Sequence, residues 1–318
     1  MRILANTNFN FIRWRWHAIV LSIAVIATGA VTMVGRGGLA LGVDFTGGTV
    51  VVLQFSQPTG EEVVRAALQS FGDVSVQKFG AAGQNQILVR LPLQAGSELG
   101  TSLDADATRV QEALKAANVG EFTPIKRDLV GPTIGRDLRR KGIMATAASL
   151  VGIMAYIAFR FRLSFGVGAM VASLHDVLVT LSLLVLFKYE LTLNVVAAIL
   201  TLTGYGVNDQ IVVFDRVREN LRKSRQEPMD SVINKSVNQT LPRTIITAGV
   251  TFLAVFALFL FGGDVLEGFA FAMLVGIVTS TYSTVYIASA VAVVLSGRRR
   301  GRADQTVTQA QAKARRRA

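Results

Sequence analysis

Six polar side chains sit in, or at the edge of, long apolar stretches of this sequence. His175 and Asp176 lie in the middle of one stretch, Asn208 and Asp209 in the next, and Arg243 with Thr247 at the start of a third. A charge in hydrocarbon is costly unless it is paired, hydrated or neutralised, so each of these residues needs a reason. Asp209 is the leading candidate for a carboxylate that takes up and releases a proton. Desolvation favours its neutral form and a nearby cation its charged form, so the balance can be switched. Arg243 is the obvious cation, since the two stretches read as antiparallel neighbours with both residues toward the same end, and Thr247 shares the Arg243 face at i+4. The structural alternative is that Asp209, six residues before Asp215, forms a fixed pair with Arg243 in a wet vestibule. His175 and Asp176 are successive and point about 100° apart on a helix, so they are not expected to face one partner. His175 reads either as a buried neutral imidazole or as part of a relay with Asp176. Asn194 and Asn208 read as interhelical hydrogen-bond donors, with Asn208 kept in the candidate path for its place beside Asp209.

Enzymatic chemistry is hard to build from these residues. Two membrane aspartates invite an intramembrane aspartyl protease, but Gly204-Tyr-Gly206 has its aspartate at 209 rather than 207. With only His17 and His175 there is no zinc-protease pair, and neither a dinucleotide fingerprint nor a Gly-Lys-Ser/Thr phosphate loop occurs. Cysteine is absent, which removes disulfides and thiolate metal sites. The reading is a non-enzymatic, ion-coupled membrane protein with no cofactor beyond the coupling proton.

The elements that hold these residues are membrane spans. Of 318 residues, 51% are hydrophobic, and the mean hydropathy is +0.45. The excess is concentrated in segments long enough, at about 1.5 Å per residue, to cross about 30 Å of hydrocarbon. Six are predicted: 17–35, 142–159, 163–187, 191–214, 245–261 and 268–295. The first follows Arg13 and Arg15 like a signal peptide, but its length favours a retained anchor. Between the first and second, residues 36–140 change period. Val43–Phe55 reads as a strand, Gly60–Gly72 as a helix, Val74–Phe79 and Gln86–Leu91 as strands, Asp104–Asn118 as a helix and Glu121–Val130 as a strand. That order is β-α-β-β-α-β, an α+β ferredoxin-like domain with both helices on one face of an antiparallel sheet. Gly47, Gly48, Gly131 and Pro132, where this domain meets the spans, read as hinges or as ordinary turns.

The net charge of +12 comes from basic residues between spans and in the tail, which topology and anionic lipid explain without nucleic acid. Lys and Arg number three before the first span, two at Arg160 and Arg162, seven from Arg216 through Arg243 and eight from Arg298 onward, whereas the alternate short loops offer only Lys188. The positive-inside rule therefore puts residues 1–16 and the tail 297–318 in the cytoplasm and residues 36–140 outside. Arg136, Arg139, Arg140 and Lys141 are tolerated there because they end a long translocated domain. The tail reads as disordered and able to touch lipid headgroups. The last span repeats small residues at every fourth position (Gly268, Ala272, Gly276, Ser280, Thr284, Ala288, Ala292, Ser296), a packing stripe before a substrate path. On a straight helix it drifts about 40° per step.

Several segments, taken in order, resemble the SecF-type members of the SecD/SecF protein-export family, within the resistance–nodulation–division superfamily. They are Val43-Asp-Phe-Thr-Gly-Gly-Thr49, Val130-Gly-Pro-Thr-Ile-Gly135, Gly204-Tyr-Gly-Val-Asn-Asp209, Val212-Val-Phe-Asp-Arg-Val-Arg-Glu-Asn220, Arg243-Thr244 with Thr247, Phe261-Gly-Gly263 and Thr281-Tyr-Ser283. Together they cover residues from about 10 to 297. The family commonly has Ser at 206 and Thr at 210, where this chain has Gly and Gln. The resemblance implies half of a transporter in a bacterial inner membrane, whose six spans pair with six of SecD about a pseudo-two-fold axis. It further implies use of the proton-motive force to complete preprotein translocation through SecYEG after the ATP-driven SecA step, with YajC-type and insertase proteins as accessory partners and unfolded preproteins as substrates. Asp209, Arg243 and Thr247 match proton-path residues of that family. A stand-alone proton-driven exporter of small hydrophobic compounds and a passive translocon scaffold are the competing expectations.

Overall fold

The computed structural model describes residues 7–71, 74–79, 84–91, 101–130, 132–161, 163–223 and 227–295. Gly131 and the basic tail 297–318 lie outside these residues. Helix α1 (Phe11–Gly35) opens with Asn10, whose side chain accepts the Arg13 amide at 3.1 Å, the usual role of asparagine at a helix start. A short helix α2 (Val43–Thr46) precedes strand β1 (Gly48–Phe55), so the predicted strand begins five residues late. The reason lies in Gly47 and Gly48, whose φ angles of 74° and 129° turn the chain between helix and strand.

The small domain then runs α3 (Glu61–Ala67), β2 (Ser75–Phe79), β3 (Gln86–Leu91), α4 (Thr101–Ala116) and β4 (Phe122–Val130). All strand pairs are antiparallel in the order β2-β3-β1-β4, the ferredoxin-like arrangement expected from the sequence. Val51, Leu53, Val76, Ile87 and Val89 meet Val64 and Leu68 of α3 and Val110 and Leu114 of α4 in one apolar core. Pro124 lies in edge strand β4, where its missing N–H breaks no interior ladder, and the register shifts beside it between Val52 and Leu53.

Six helices are long and apolar enough to cross a membrane: α1, α5 (Pro132–Arg160), α6 (Leu163–Leu186), α7 (Leu193–Lys223), α8 (Met229–Phe261) and α9 (Asp264–Ser283), the last continuing through a π turn at Thr284–Ala288 to Leu295. Pro132 begins α5, a position where a proline's missing N–H costs nothing, so that helix enters the apolar region without a break. Helices α7 and α8 also outrun their apolar segments, carrying Asp215–Lys223 and Met229–Thr240 beyond them.

Half or more of the apolar stretches of α6, α7 and α9 is buried, while few residues of α1, α5 and α8 are. The central three pack through small residues. A side chain at Gly168 would meet the Ala288 carbonyl oxygen at 3.0 Å, and one at Gly276 would strike Leu202. The predicted stripe on the last span is buried at Ala272, Gly276, Ser280, Thr284, Ala288 and Ala292. A π turn falls within this stripe at Thr284–Ala288, and its wider turn offsets the drift of a four-residue repeat there.

The domain is fastened to the helices. Gly42 donates to the Leu191 carbonyl and the Leu191 amide to Ala40, both at 2.8 Å, while Asp44 Oδ2 accepts the Leu193 amide at 2.9 Å. Arg90 of β3 grips Glu190, in the α6–α7 connection, through two parallel hydrogen bonds.

Candidate functional site

Pro242 divides α8 just before the residues of interest. It cannot donate to the Asn238 carbonyl, and that freed oxygen accepts the Thr7 hydroxyl at 3.4 Å. The side chains of Asn234 and Asn238 also bind the backbone of Phe9 and Phe11, tying the N-terminal segment to α8. One residue later Arg243 and Thr247 point outward and are exposed, whereas Thr244 and Ala248 point into the bundle.

Asp209 is only 5% exposed. Its Oδ1 accepts the Thr244 hydroxyl at 3.4 Å, and Oδ2 is buried without a hydrogen-bond partner. The expected contact with Arg243 is not made: no ion pair within 4.0 Å joins the two among the described residues. The fixed pair is thus corrected. Asp209 and Arg243 are brought to neighbouring positions on α7 and α8, yet Asp209 faces inward and Arg243 faces out. Thr247 bonds its own helix, through the carbonyls of Arg243 and Thr244. Asn208 is exposed and makes no side-chain hydrogen bond among the described residues, while Asn194 donates across to the Val265 carbonyl at 3.2 Å.

His175 and Asp176 are both buried. Although successive, the side chains fold back on each other, with Nδ1 and Oδ1 3.0 Å apart. Such a contact needs a proton on one of those two atoms. Asp176 Oδ2 accepts the Ser283 hydroxyl at 2.9 Å, while His175 Nε2 has no partner. Sequence reasoning missed Thr244 and Ser283 as partners of the two carboxylates. The signal was present in Arg243-Thr244 and Thr281-Tyr-Ser283, but helix rotation decided which hydroxyl faced the acid. Arg90 and Glu190 were also missed, although a carboxylate in a short connection between two spans is itself a signal.

Measured from the helix ends nearest the small domain, Asp176 lies about 15 Å and Asp209 about 24 Å along their helices, from 10 and 16 residues at about 1.5 Å each. The two acids therefore sit at different depths, with α7 between Asp176 and the exposed face that carries Arg243.

Residues 109–298 match the family described as protein export membrane protein SecD/SecF, C-terminal, and residues 35–59 match the SecD/SecF GG motif. The chain belongs to the SecD/SecF family of protein-export membrane proteins. Among its relatives are proteins named protein translocase subunit SecF from Desulfurispirillum indicum, 41% identical over 88% of this chain and 89% of the relative, and from Pseudomonas aeruginosa, 40% identical over 92% of each. The crystal structure of SecDF from Thermus thermophilus, described as a translocon-associated membrane protein, superposes with a TM-score of 0.80 at 33% identity. A super-membrane-facing form of SecDF gives 0.69. This chain covers 93% of itself but only 40% of the first of those longer chains. The segment matching the SecD/SecF GG motif includes Gly47 and Gly48, which have positive φ, as do Gly37 and Gly38 earlier in it.

Proposed function

We propose that this chain is the SecF-type subunit of a bacterial protein translocase, pairing with a SecD-type subunit and using the proton-motive force to complete preprotein movement through SecYEG after the SecA step. One observation carries the reading. Thr201 and Asn208 of α7, with the bare Gly204 between them, and Arg243 and Thr247 of α8 are exposed polar positions within the apolar helices beside the buried Asp209, and together they form a stripe. Polar groups so placed face protein or water, not lipid, so the stripe calls for a partner that covers it. A second set of spans is the partner of fitting size, since this chain spans 40% of the SecDF chain.

In this mechanism Asp209 takes a proton on Oδ2, the oxygen that no donor occupies, while Thr244 holds Oδ1 in place. The charge change is felt by Arg243 across the helix pair rather than through a direct contact. It alters how the polar stripe meets the partner, and the small domain moves with the helices to which it is tied. Gly47, Gly48 and Pro132 are where that motion would bend; Asp176 and His175 form a second acid site nearer the domain. One charge crossing the membrane supplies about 2.3 kcal/mol per 100 mV, enough to bias such a step. The basic residues place both termini in the cytoplasm and the small domain on the outer side of the inner membrane. YajC-type and insertase proteins are accessory partners in this reading, and no cofactor is needed besides the proton.

The test is preprotein export in membranes holding Asp209→Asn with its partner subunit, with and without a proton gradient. Loss of gradient-stimulated export from an assembled complex supports the proposal. Unchanged stimulation removes Asp209 and favours a scaffold role, and gradient-driven efflux of small hydrophobic compounds by this chain alone would favour an exporter.

A further inference from the structure

A cavity of about 10 Å³ lies inside the bundle between α6, α7 and α9. Ser173, Asp176, Thr180, Thr203 and Ser280 supply its polar lining. The hydroxyls of Ser173, Thr180 and Ser280, on residues 2%, 1% and 1% exposed, have no hydrogen-bond partner. This is unusual for the bundle. A helical Ser or Thr can donate to the carbonyl one turn back, as Ser182 does to Leu178, Thr201 to Ala197, Thr203 to Ile199 and Thr281 to Ile277, at 2.7 to 3.0 Å. Among the described residues the three cavity hydroxyls and the buried Thr284 hydroxyl, which lies off the cavity, do not. Gly206 brings the set together from the α7 side. A Cβ there would fall 2.4 Å from Ser280 Oγ and 3.6 Å from Asp176 Oδ2, so the bare glycine lets hydroxyl and carboxylate sit against one spot.

We infer that this cavity binds one ordered water, held by Ser173, Thr180, Ser280 and the Asp176 carboxylate. Its volume is close to the smallest that admits a water, and a buried water needs two to four polar partners, which this lining provides. Each Asp176 oxygen already makes one contact, Oδ1 with His175 and Oδ2 with the Ser283 hydroxyl, and keeps a lone pair for a second. A single carboxylate so engaged offers a metal cation little charge, which favours water. The site lies inside this chain's own helices, beside Asp176, and is separate from the exposed stripe by Arg243. It rests on the fold alone and not on the proposed coupling.

The experiment compares thermal unfolding of the detergent-purified full chain in complex with its partner subunit, wild type against Thr180→Val and Ser280→Ala. If the hydroxyls hold a water, each change removes a satisfied hydrogen bond and lowers the midpoint by about 2–4 °C. If the cavity is dry, each change deletes an unpaired buried hydroxyl, and an unchanged or raised midpoint overturns the inference. Should Thr180→Val fail to assemble, Thr180→Ser must assemble and Ser280→Ala must still lower the midpoint. A midpoint that rises with Na⁺ or K⁺ relative to choline at constant ionic strength also overturns it, by assigning the site to a cation. None of these readouts measures export, so their failure leaves the Asp209 proposal to its own test.

Discussion

Replacing Arg90 or Glu190 with glutamine should loosen the small domain at its root without detaching it. The two side chains are 19% and 20% exposed and meet through paired hydrogen bonds, one of them 2.6 Å from Nη1 to Oε1. A fully exposed pair contributes about 0.2–1 kcal/mol, and a hydrogen bond to a charged group about 1.5–3 kcal/mol. Four-fifths burial places this contact between them, at roughly 1–3 kcal/mol, or about a 5- to 150-fold change in the opening equilibrium. Three hydrogen bonds donated by backbone amides remain across the junction, from Gly42 to Leu191, from Leu191 to Ala40 and from Leu193 to the Asp44 carboxylate. Hydrogen exchange of those amides is therefore the readout. Peptides covering residues 40–44 and 189–193 should exchange faster by that factor in Arg90→Gln and in Glu190→Gln, while the core strands β1 and β3 keep their protection. The swapped pair, Arg90→Glu with Glu190→Arg, should recover most of the loss. Unchanged exchange in both single variants would show that the backbone contacts alone fix the domain, and would refute the reasoning.

Two further outcomes follow from the packing. A Cβ at Gly29 would lie 2.3 Å from Ser182 Cβ and 2.6 Å from Ser182 Cα, against about 3.5–4.0 Å for ordinary contact, so α1 must retreat by about 1 Å. Gly29→Ala should then destabilise the bundle by about 1–3 kcal/mol, read as a lower unfolding midpoint, with Ser182→Gly restoring only part because the α6 backbone still stands in the way. The Tyr189 phenol donates to Glu267 at 2.6 Å, and burial together with that carboxylate pushes its ionisation up. A raised value means that the folded state favours the neutral phenol. Its contribution is complete below the unfolded tyrosine's value of about 10 and is lost as pH rises past it. Tyr189→Phe should lower the midpoint at neutral pH, and its difference from wild type should shrink above about pH 10. A difference that grows on the alkaline side would contradict the assignment.

The architecture was legible because hydropathy and period act locally. Six apolar runs and a β-α-β-β-α-β pattern need no knowledge of neighbours, and Asp209 and Asp176 stood out for being charged among apolar residues. What depended on rotation was not legible. Arg243 follows Pro242 and turns outward while Thr244 turns in, so the Asp209 partner expected at 243 is found one residue later. The ends of α7 and α8 were placed at the last apolar residue, but a helix needs hydrogen bonds rather than hydrocarbon to continue. Arg216, Glu219 and Lys223 extend α7 into water through i,i+3 and i,i+4 pairs. The reach of Arg90 to Glu190 spans 100 positions of chain, a distance that no local pattern records.

The π turn at Thr284–Ala288 begins immediately after Ser283, the residue whose hydroxyl is bonded to Asp176. A wide turn amounts to one surplus residue kept within a helix. Converting it to ordinary α geometry would advance everything beyond it by about 1.5 Å and swing it by about 100°, while the stretch up to Ser283 stayed where it is. Helix α9 thus contains the equivalent of a swivel placed next to an acid, with the Asp176 contact on one side of the joint and the buried Ala292 on the other.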